Sequence, residues 1–310
     1  MVTVVVLTRN RRKLLEKCLE TLMAQDCAPL AYEVVVLDDG SEDDTRVVVG
    51  VLTRRHANLR YVYQPHRGIP AARNRGLAEA RGGLVAFVAD DYEMAPDYVS
   101  TVRRLFEERP ETKVVRFKVV SAGKGFSDRV GHMYYSFSVL QRLLPASADR
   151  LGFLDRLRMV ARYREEATTN HNLEAAGGAA YRREVFDVAG KFDESLLRGE
   201  DSDFAARLRR HGIPILYYPF HCIRRHYESY FREALAKSFL AGMNRYRYHR
   251  KHQSGSGAVV VVGKLFAIAA ALVYSGHTGH LRHFILNYPW LTLLEAANKL
   301  GFLAAAIKRS

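Results

Sequence analysis

The sequence predicts an α/β protein with a mostly parallel sheet flanked by helices, followed by a carboxy-terminal helical extension. Two observations predict this fold class. Short apolar, β-branched runs alternate with amphipathic segments over residues 1–90, as strand–helix–strand units require. The chain, with 310 residues of which 48% are hydrophobic, is also long enough to bury a complete core. Neighbouring strands in such a chain run parallel through right-handed crossovers.

Four strands are predicted in the amino-terminal part, each a short run that ends at polar or turn residues. They are TVVVLT at 3–8, YEVVVLDD at 32–39, LRYVYQ at 59–64 and LVAFVA at 84–89. Helices are predicted between them. Leu15, Leu19 and Leu22 recur at helical spacing, and TRVVVGVLTRRH follows the second strand. Pro70 and Gly82 mark the start and the end of the third helix.

The later part of the chain is less regular. The run KVVRFKVVSAG at 113–123 predicts one or two strands. A glycine pair then precedes a helix, a loop with adjacent acidic residues, a second helix and a final short strand. We therefore expect a first domain over residues 1–220 and an extension over 221–310.

The positive charge is concentrated in the extension. Residues 221–310 carry a net charge of +10 out of +14 for the whole chain. Such a region can serve nucleic acid, an anionic membrane surface or an acidic ligand. The run NRYRYHRKH, which interleaves Arg and Tyr, leaves a nucleic-acid-binding protein as an alternative.

The extension also predicts amphipathic helices. A helix over 221–252 has one apolar stripe, and the apolar segments 258–274 and 284–310 are interrupted by lysines. These segments suit helices in a membrane interface, or packing against the first domain or another subunit in a homo-oligomer. Three cysteines without a metal or disulfide pattern, and no secretory leader, predict a cytoplasmic protein. The basic and apolar extension adds the expectation that it is peripheral on the inner face of the cell membrane.

Polar groups lie at the carboxyl ends of three of the four predicted strands. They are Thr8-Arg9-Asn10, Asp38-Asp39 and Asp90-Asp91. Because the carboxyl ends of parallel strands meet at one edge of a sheet, this arrangement predicts a ligand site. The first strand is followed by TRNRRK, without the glycines of a dinucleotide-binding loop. Adjacent buried carboxylates suit a divalent cation bridging to phosphates, although a solvated acidic loop is the simpler alternative.

Five segments occur in a fixed order: VVVLTRNRRKLLEKCLETLMAQ, YEVVVLDDGSEDDT, GIPAARNRGLAEARGGLVAFVADDYEMAPDY, GGAAYRREVFDVAGKFDE and GEDSDFAARLRRHG. Together they resemble the family 2 glycosyltransferases of the GT-A fold, over residues 2 to about 220. The resemblance implies an inverting, metal-dependent enzyme that transfers a sugar from a nucleoside-diphosphate sugar to a hydroxyl acceptor. It also implies a divalent metal, Mg²⁺ or Mn²⁺, and an acceptor that is a glycan or a lipid-linked molecule in glycan synthesis.

The resemblance also implies roles for individual residues. The residues matching its donor-binding positions are Thr8, Arg9, Asn10, Asp38, Asp39, Arg73, Asn74 and Asp90. Among them, Asp39 is expected to contact the base of the nucleotide. Asp91 matches the metal ligand, and Asp90 the ribose or the metal. The family's first aspartate is replaced by Ala89, which changes the expected coordination.

The resemblance places catalysis at the adjacent acidic residues. Asp201 matches the general base, Glu200 supports it, and Gly177 and Gly178 match the loop beside the acceptor. From the residues alone, carboxylates at a helix start can equally be stabilising the helix dipole. The Gln-x-x-Arg-Trp motif of processive members is missing, since the single tryptophan is Trp290. We therefore expect transfer of one sugar, with a non-catalytic membrane scaffold as the other alternative.

Overall fold

The computed structural model describes residues 1–123, 166–171, 173–174, 177–196 and 199–226, and scattered positions between 155 and 304. Nine strands are defined in these residues: β1 Val2–Thr8, β2 Tyr32–Asp39, β3 Leu59–Gln64, β4 Leu84–Ala89, β5 Tyr92–Met94, β6 Val114–Ser121, β7 Thr168–Asn170, β8 Ala179–Arg182 and β9 Ile215–Arg225. The α-helices are α1 Arg12–Met23, α2 Thr45–Thr53, α3 Ile69–Glu79, α4 Tyr98–Glu108, α5 Val185–Ala189 and α6 Glu200–Arg210.

The described strands form one mixed sheet in the order β3-β2-β1-β4-β8-β6-β9-β5, with β7 paired to β9. Strands β1 to β4 are parallel to one another, whereas β8 runs antiparallel to both β4 and β6. The four amino-terminal strands and the helices α1 to α3 between them confirm the predicted α/β pattern.

Strand β9 corrects the prediction for the end of the first domain. It runs through Arg225 because it pairs with β6 over most of its length and with β5 at its end, including Tyr92 with Arg225. The prediction of helix from residue 221 is therefore wrong for residues 221–225. One compact unit comprises Met1–Gly123 and Glu166–Tyr227, and so extends past the predicted boundary at residue 220.

The core beside β4 is a cluster of aromatic rings. Phe87 and Tyr181 pack edge to face across β4 and β8, and Phe186 of α5 stacks on Phe204 of α6. Phe192 joins the cluster, with its ring centroid 4.9 Å from that of Phe204. Aromatic rings bury large areas with specific geometry, so this cluster fixes the position of α6 against the sheet.

Gly178 occupies a position that a side chain would disturb. Its φ of +86° lies in the left-handed region, and a Cβ there would lie 3.1 Å from Ile223 Cδ1. Its backbone joins β4 to β6, since its N–H donates to Phe87 O at 2.7 Å and its carbonyl accepts from the Phe117 N–H at 3.1 Å. The sheet connection itself therefore requires glycine here.

We expect Gly178→Ala to lower the free energy of unfolding by about 1–3 kcal/mol, because a strained backbone conformation is added to a tight contact. Urea unfolding followed by circular dichroism measures this loss. Gly83→Ala is the matched control, since Gly83 has no heavy atom within 4 Å of an added Cβ. Equal free energies of unfolding for Gly178→Ala and Gly83→Ala would show that the sheet connection does not require glycine at position 178.

The second compact unit comprises Lys124–Glu165 and Glu228–Ser310, and most of the predicted extension lies outside the described residues. Helical backbone is described at 235–236, 238–240, 242–243 and 296–302. The segments 238–240 and 242–243 both contact 296–302, at Gly301 and at Gly242, and Asn298 Nδ2 donates to Ser238 O at 3.1 Å. Among the described residues, no helix has the length and apolar character needed to cross a membrane.

Candidate active site

The three polar strand ends meet, as predicted, at one edge of the sheet. Thr8 pairs in register with Asp38 across β1 and β2, and Leu7 pairs with Ala89 across β1 and β4. The residues after Ala89 are Asp90 and Asp91, so the carboxyl ends of all three strands lie side by side. Ligands of parallel α/β sheets bind at this edge.

Asp90 and Asp91 are buried, each only 3% exposed. Thr8 Oγ1 donates to Asp90 Oδ2 at 2.8 Å, and Arg11 Nη1 lies 2.6 Å from Asp90 Oδ1. Asp91 Oδ2 lies 3.2 Å from Arg225 Nε and 3.4 Å from Arg11 Nη2. Buried carboxylates of like charge require such cationic partners. The predicted solvated acidic loop is therefore excluded.

The donor set fits a hard divalent cation that also binds a second ligand. Asp91 Oδ1 is buried and has no hydrogen-bond partner among the described residues, so one carboxylate oxygen is available for an ion. Those same residues contain no group of three or more His, Cys, Asp or Glu placed to hold a metal. One or two carboxylates completed by phosphate and water is the usual arrangement for Mg²⁺.

Asp39 organises the loop between β3 and α3. It accepts hydrogen bonds from Gln64 Nε2 at 2.7 Å, from the N–H groups of Arg67 at 2.9 Å and Gly68 at 3.0 Å, and from His66 Nδ1 at 2.7 Å. Burial alone would raise the pKa of Asp39, but these hydrogen bonds outweigh it and the pKa lies below its ordinary value. The predicted contact between Asp39 and the base of the nucleotide stays a prediction. In that contact, the nucleotide base would replace one of these hydrogen-bond donors.

Asp38 is held in a similar way on β2. Its Oδ1 accepts from the Ser41 N–H at 2.8 Å, and its Oδ2 accepts from the Tyr61 hydroxyl at 2.6 Å. Burial, and then this hydrogen bond to the carboxylate, raise the pKa of Tyr61, which therefore stays protonated as the donor. A donor contact by Asp38 stays a prediction.

Residues Arg9 and Asn10 form the turn between β1 and α1. Asn10 has a left-handed φ of 53°, and its Oδ1 accepts from the Glu42 N–H at 2.7 Å. Arg9 Nη1 lies 3.0 Å from His66 Nε2. Since His66 Nδ1 faces the Asp39 carboxylate, it carries the proton and His66 Nε2 accepts from Arg9. Arg9 is thereby linked to the loop that Asp39 organises.

Arg73 is buried and Asn74 is half-buried, and both contact residues of the chain that follow α5. Arg73 Nη1 forms an ion pair with Glu200 Oε1 at 3.0 Å, and its guanidinium lies over the Phe192 ring at 5.1 Å. Asn74 donates to Phe192 O and to Glu194 Oε1, both at 2.9 Å. These contacts favour a positioning role, and the predicted donor contacts of both residues stay predictions.

We expect Arg73→Met to lower the free energy of unfolding by about 3–5 kcal/mol, because Glu200 would remain buried without its cation. Chemical denaturation measures the change. Arg75→Met is the matched control, since the exposed Arg75 pairs with Glu79 at 2.8 Å on the same helix, and Glu79 keeps its ion pair with Arg60 in this variant. The replacement should cost less than about 1 kcal/mol. A loss for Arg73→Met as small as that of the control would mean that the buried pair is not stabilising α6.

Glu200 and Asp201 begin α6, directly after Gly199 with its left-handed φ of 87°. Glu200 is buried against Arg73, whereas Asp201 is half-buried and its Oδ1 accepts the N–H of the following Ser202 at 2.9 Å. Asp201 is therefore the more accessible of the two carboxylates, and Glu200 is the one used in packing. Both carboxylates also lie where they stabilise the helix dipole.

The glycine pair, Gly177 and Gly178, directly precedes β8 and lies near the chain that carries Asp90 and Asp91. The Tyr92 hydroxyl donates to Gly177 O at 3.4 Å, and Tyr92 directly follows Asp91. An added Cβ on Gly177 would lie 4.0 Å from the Ala89 Cβ. The pair therefore borders the end of β4, and its predicted contact with the acceptor stays a prediction.

Sequence reasoning missed three residues of this site. They are Arg11, Arg225 and His226, and the last donates its N–H to Asp91 O at 2.9 Å while its ring pairs with Glu93. The sequence predicts helix for the basic run RRH at 224–226, whereas Arg224 and Arg225 end β9. Residues 221–226, HCIRRH, do not alternate between polar and apolar, so no local signal marks them as strand residues.

Fold and site together define an α/β protein with buried carboxylates at the carboxyl edge of a mixed sheet, which is the edge where ligands of such folds bind. Residues 3–189 match the family described as glycosyl transferase family 2. The protein belongs to this family of glycosyltransferases, which confirms the predicted family; the matched range ends before the fifth segment, which begins at Gly199.

Two curated relatives illustrate the range of the family. Validoxylamine A glucosyltransferase of Streptomyces hygroscopicus subsp. limoneus is 32% identical over 236 residues, covering 69% of this chain and 49% of that protein. GalNAc(5)-diNAcBac-PP-undecaprenol beta-1,3-glucosyltransferase of Campylobacter jejuni is 35% identical over 108 residues, covering 34% of each chain. The chain spans about half the length of the curated relatives that match most of it.

A solved structure supports the fold assignment. The mannosyltransferase PcManGT of Pyrobaculum calidifontis, in complex with GDP-Man and Mn²⁺, superposes with a TM-score of 0.56 at 19% identity, covering 99% of this chain and 86% of that chain. This similarity confirms the predicted GT-A fold.

Proposed function

We propose that this protein transfers one sugar from a nucleoside-diphosphate sugar to a hydroxyl acceptor, with inversion at the anomeric carbon and with a divalent metal. The observation that carries the proposal is Asp91, which is buried at the carboxyl edge of the sheet with Oδ1 lacking a hydrogen-bond partner among the described residues. Membership of the family and the GDP-Man and Mn²⁺ bound to PcManGT support it.

Asp91, with Asp90 beside it, would hold the metal. A bound divalent ion supplies Lewis-acid stabilisation of the charge that develops on the leaving diphosphate. Thr8 and Arg11 fix the orientation of Asp90 by direct contacts of 2.8 Å and 2.6 Å. Arg9 and the loop organised by Asp39 border the same edge and would contact the nucleoside.

Asp201 would act as the general base. Its carboxylate is accessible at the amino terminus of α6, and the neighbouring Glu200 is occupied by Arg73. A base within hydrogen-bond reach of the acceptor hydroxyl removes its proton during attack. Attack from the face opposite the diphosphate inverts the anomeric centre, and the site contributes by holding both substrates in that geometry.

The acceptor is proposed to be a glycan or a lipid-linked molecule used in glycan synthesis. Absence of the Gln-x-x-Arg-Trp motif favours addition of a single sugar. The Campylobacter relative is named for a substrate linked to undecaprenol, which supports a lipid-linked acceptor for this chain as well.

Screening the full chain for thermal shifts against a panel of nucleoside-diphosphate sugars, with and without Mn²⁺ or Mg²⁺, tests the function. Binding to the folded state raises the melting temperature by linkage, so at least one donor should stabilise the protein only when metal is present. Absence of any metal-dependent shift across the panel would overturn the proposal.

A cytoplasmic, peripheral location on the inner face of the membrane is the second part of the proposal. Residues 221–310 carry the net charge of +10, and Leu240, Leu293 and Leu300 are exposed on helical segments there. Basic residues near an anionic surface contribute about 1 kcal/mol each, and inserted leucines add to this.

A flotation assay separates membrane binding from the alternative of a homo-oligomer interface. Full-length protein should float with vesicles containing anionic lipid and should be partly released at high salt, because screening weakens the electrostatic attraction. Neutral vesicles are the control. A stable dimer that ignores anionic vesicles at low salt would replace the membrane proposal with the interface.

A further inference from the structure

Two arginines from distant parts of the chain reach the same pair of carboxylates. Arg11 lies just before α1, and Arg225 is the last residue of β9. Arg11 contacts Asp90 Oδ1 at 2.6 Å and Asp91 Oδ2 at 3.4 Å, while Arg225 Nε lies 3.2 Å from Asp91 Oδ2. The two side chains are 28% and 35% exposed, so they extend from the buried carboxylates toward solvent. We call Arg11 and Arg225 the ionic clasp.

The clasp balances the charge of the carboxylates but leaves their hydrogen bonding incomplete. Asp91 Oδ2 has two guanidinium contacts, whereas Asp91 Oδ1 is buried and lacks a hydrogen-bond partner among the described residues. A buried oxygen without a hydrogen-bond partner, such as Asp91 Oδ1, lowers stability unless a ligand supplies a donor or a cation to it. The clasped arrangement therefore suits a protein without its ligand.

Backbone contacts hold the stem of Arg225 in place while its guanidinium can change partner. Arg225 pairs in register with Tyr92 of β5, and its guanidinium lies 5.8 Å from the centroid of the Tyr92 ring. The next residue, His226, donates its N–H to Asp91 O at 2.9 Å. The strand end is thus tied to the Asp91 backbone, and side-chain rotation alone can move the cation.

A divalent cation at Asp91 Oδ1 would lie beside two guanidinium groups of the same sign. Repulsion over a few ångströms in a partly buried site weakens binding of the cation alone. A diphosphate reverses this effect, because arginine is well suited to phosphate oxygens and can bind them with two parallel hydrogen bonds.

We propose that the ionic clasp opposes binding of free metal to Asp91 and passes from the carboxylates to the diphosphate when a nucleoside diphosphate binds. The inference rests on the proposed function, since it requires a diphosphate at this edge of the sheet. Its consequence is that metal and diphosphate enter together, and that Arg11 and Arg225 are donor-binding residues as well as counter-ions of Asp90 and Asp91.

Arg225→Met in the full chain tests the clasp by two affinities that should change in opposite directions. Mn²⁺ alone, followed by electron paramagnetic resonance of the free ion, should bind roughly ten-fold more tightly, because a like charge has been removed. UDP and GDP in the presence of saturating Mn²⁺, followed by calorimetry, should bind roughly ten-fold more weakly, because a phosphate ligand has been removed.

Arg224→Met is the matched control. Arg224 is an exposed arginine on the same strand, and its Nη2 donates to Ala122 O at 3.2 Å. Both affinities should stay unchanged in this variant. Should Arg225→Met fail to fold by circular dichroism, the same pair of opposite changes is expected of Arg11→Met.

A parallel loss of both affinities would overturn the clasp, since it would mean that the arginine only supports the structure of the site. No change in Mn²⁺ affinity would overturn it as well. If the natural chain binds neither UDP nor GDP with Mn²⁺ and no nucleotide sugar shifts its melting temperature, the proposed function fails instead, whatever the effect of the variant on Mn²⁺ alone.

Discussion

Replacing Asp201 by Asn is expected to lower turnover by roughly 10²–10⁴-fold, which is the usual contribution of general-base catalysis. The side chain keeps its size and its Oδ1, which accepts the Ser202 N–H, so the start of α6 should be preserved. Donor affinity should change by less than about two-fold, because Asp201 acts on the acceptor hydroxyl. Steady-state turnover and calorimetric donor binding measure the two quantities separately.

Asp187→Asn is the matched control for Asp201→Asn. Asp187 is an exposed carboxylate in the first turn of α5, so its replacement removes the same charge from an equivalent helix position. Turnover should stay unchanged in this control. A collapse of donor affinity in Asp201→Asn, with turnover of bound donor intact, would show that Asp201 is a donor or structural residue.

Replacing Asp91 by Asn is expected to abolish most of the activity, with a loss of roughly 10²–10³-fold. A neutral amide is a poorer ligand for a hard cation, and Lewis-acid stabilisation contributes several kcal/mol. The affinity for nucleoside diphosphate should also lose its dependence on metal. Titration of Mn²⁺ at fixed nucleotide concentration measures that dependence directly.

Asp97→Asn controls for the loss of a carboxylate as such, since Asp97 is exposed in the loop after β5. It should retain activity and metal dependence. Full activity of the natural chain in excess chelator would show that metal is not required. In that case the roles assigned to Asp90 and Asp91 would be wrong.

Much of the amino-terminal fold follows from local sequence. Strands β3 and β4 occupy the predicted residues, because LVAFVA is a continuous apolar run and LRYVYQ is rich in aromatic and β-branched residues. The meeting of Thr8, Asp38 and Asp90 also follows, since parallel topology places the carboxyl ends together. Local pattern and long-range topology agree in this part of the chain.

The carboxy-terminal end of the first unit could not be predicted in the same way. Arg224 and Arg225 are polar and follow a proline-containing run, so their local pattern favours an exposed basic helix over a strand. Pairing with β5 and β6 overrides that preference, and such pairing depends on residues about 100 to 130 positions away. Tertiary contacts therefore decided the strand that contributes Arg225 to the site.

The side-chain contacts of Arg11, Arg73 and Asn74 could not be predicted from the sequence either. TRNRRK contains three arginines, and nothing local tells which one turns toward Asp90. The left-handed φ of Asn10 sets that choice by turning the chain before Arg11. Likewise, Arg73 and Asn74 match donor-binding positions in sequence, while their contacts run to Glu200, Phe192 and Glu194.

Anomalous diffraction from crystals of the full chain grown with Mn²⁺ and a nucleoside diphosphate tests the central claim most directly. Asp91, with Asp90 beside it, would hold the metal, and the metal would stabilise the charge on the diphosphate of the donor. We expect an anomalous peak for Mn²⁺ at Asp91, with the Arg225 guanidinium turned to the phosphates. A nucleotide bound at this edge without metal, or a metal peak on other residues, would show that Asp91 is not the metal ligand.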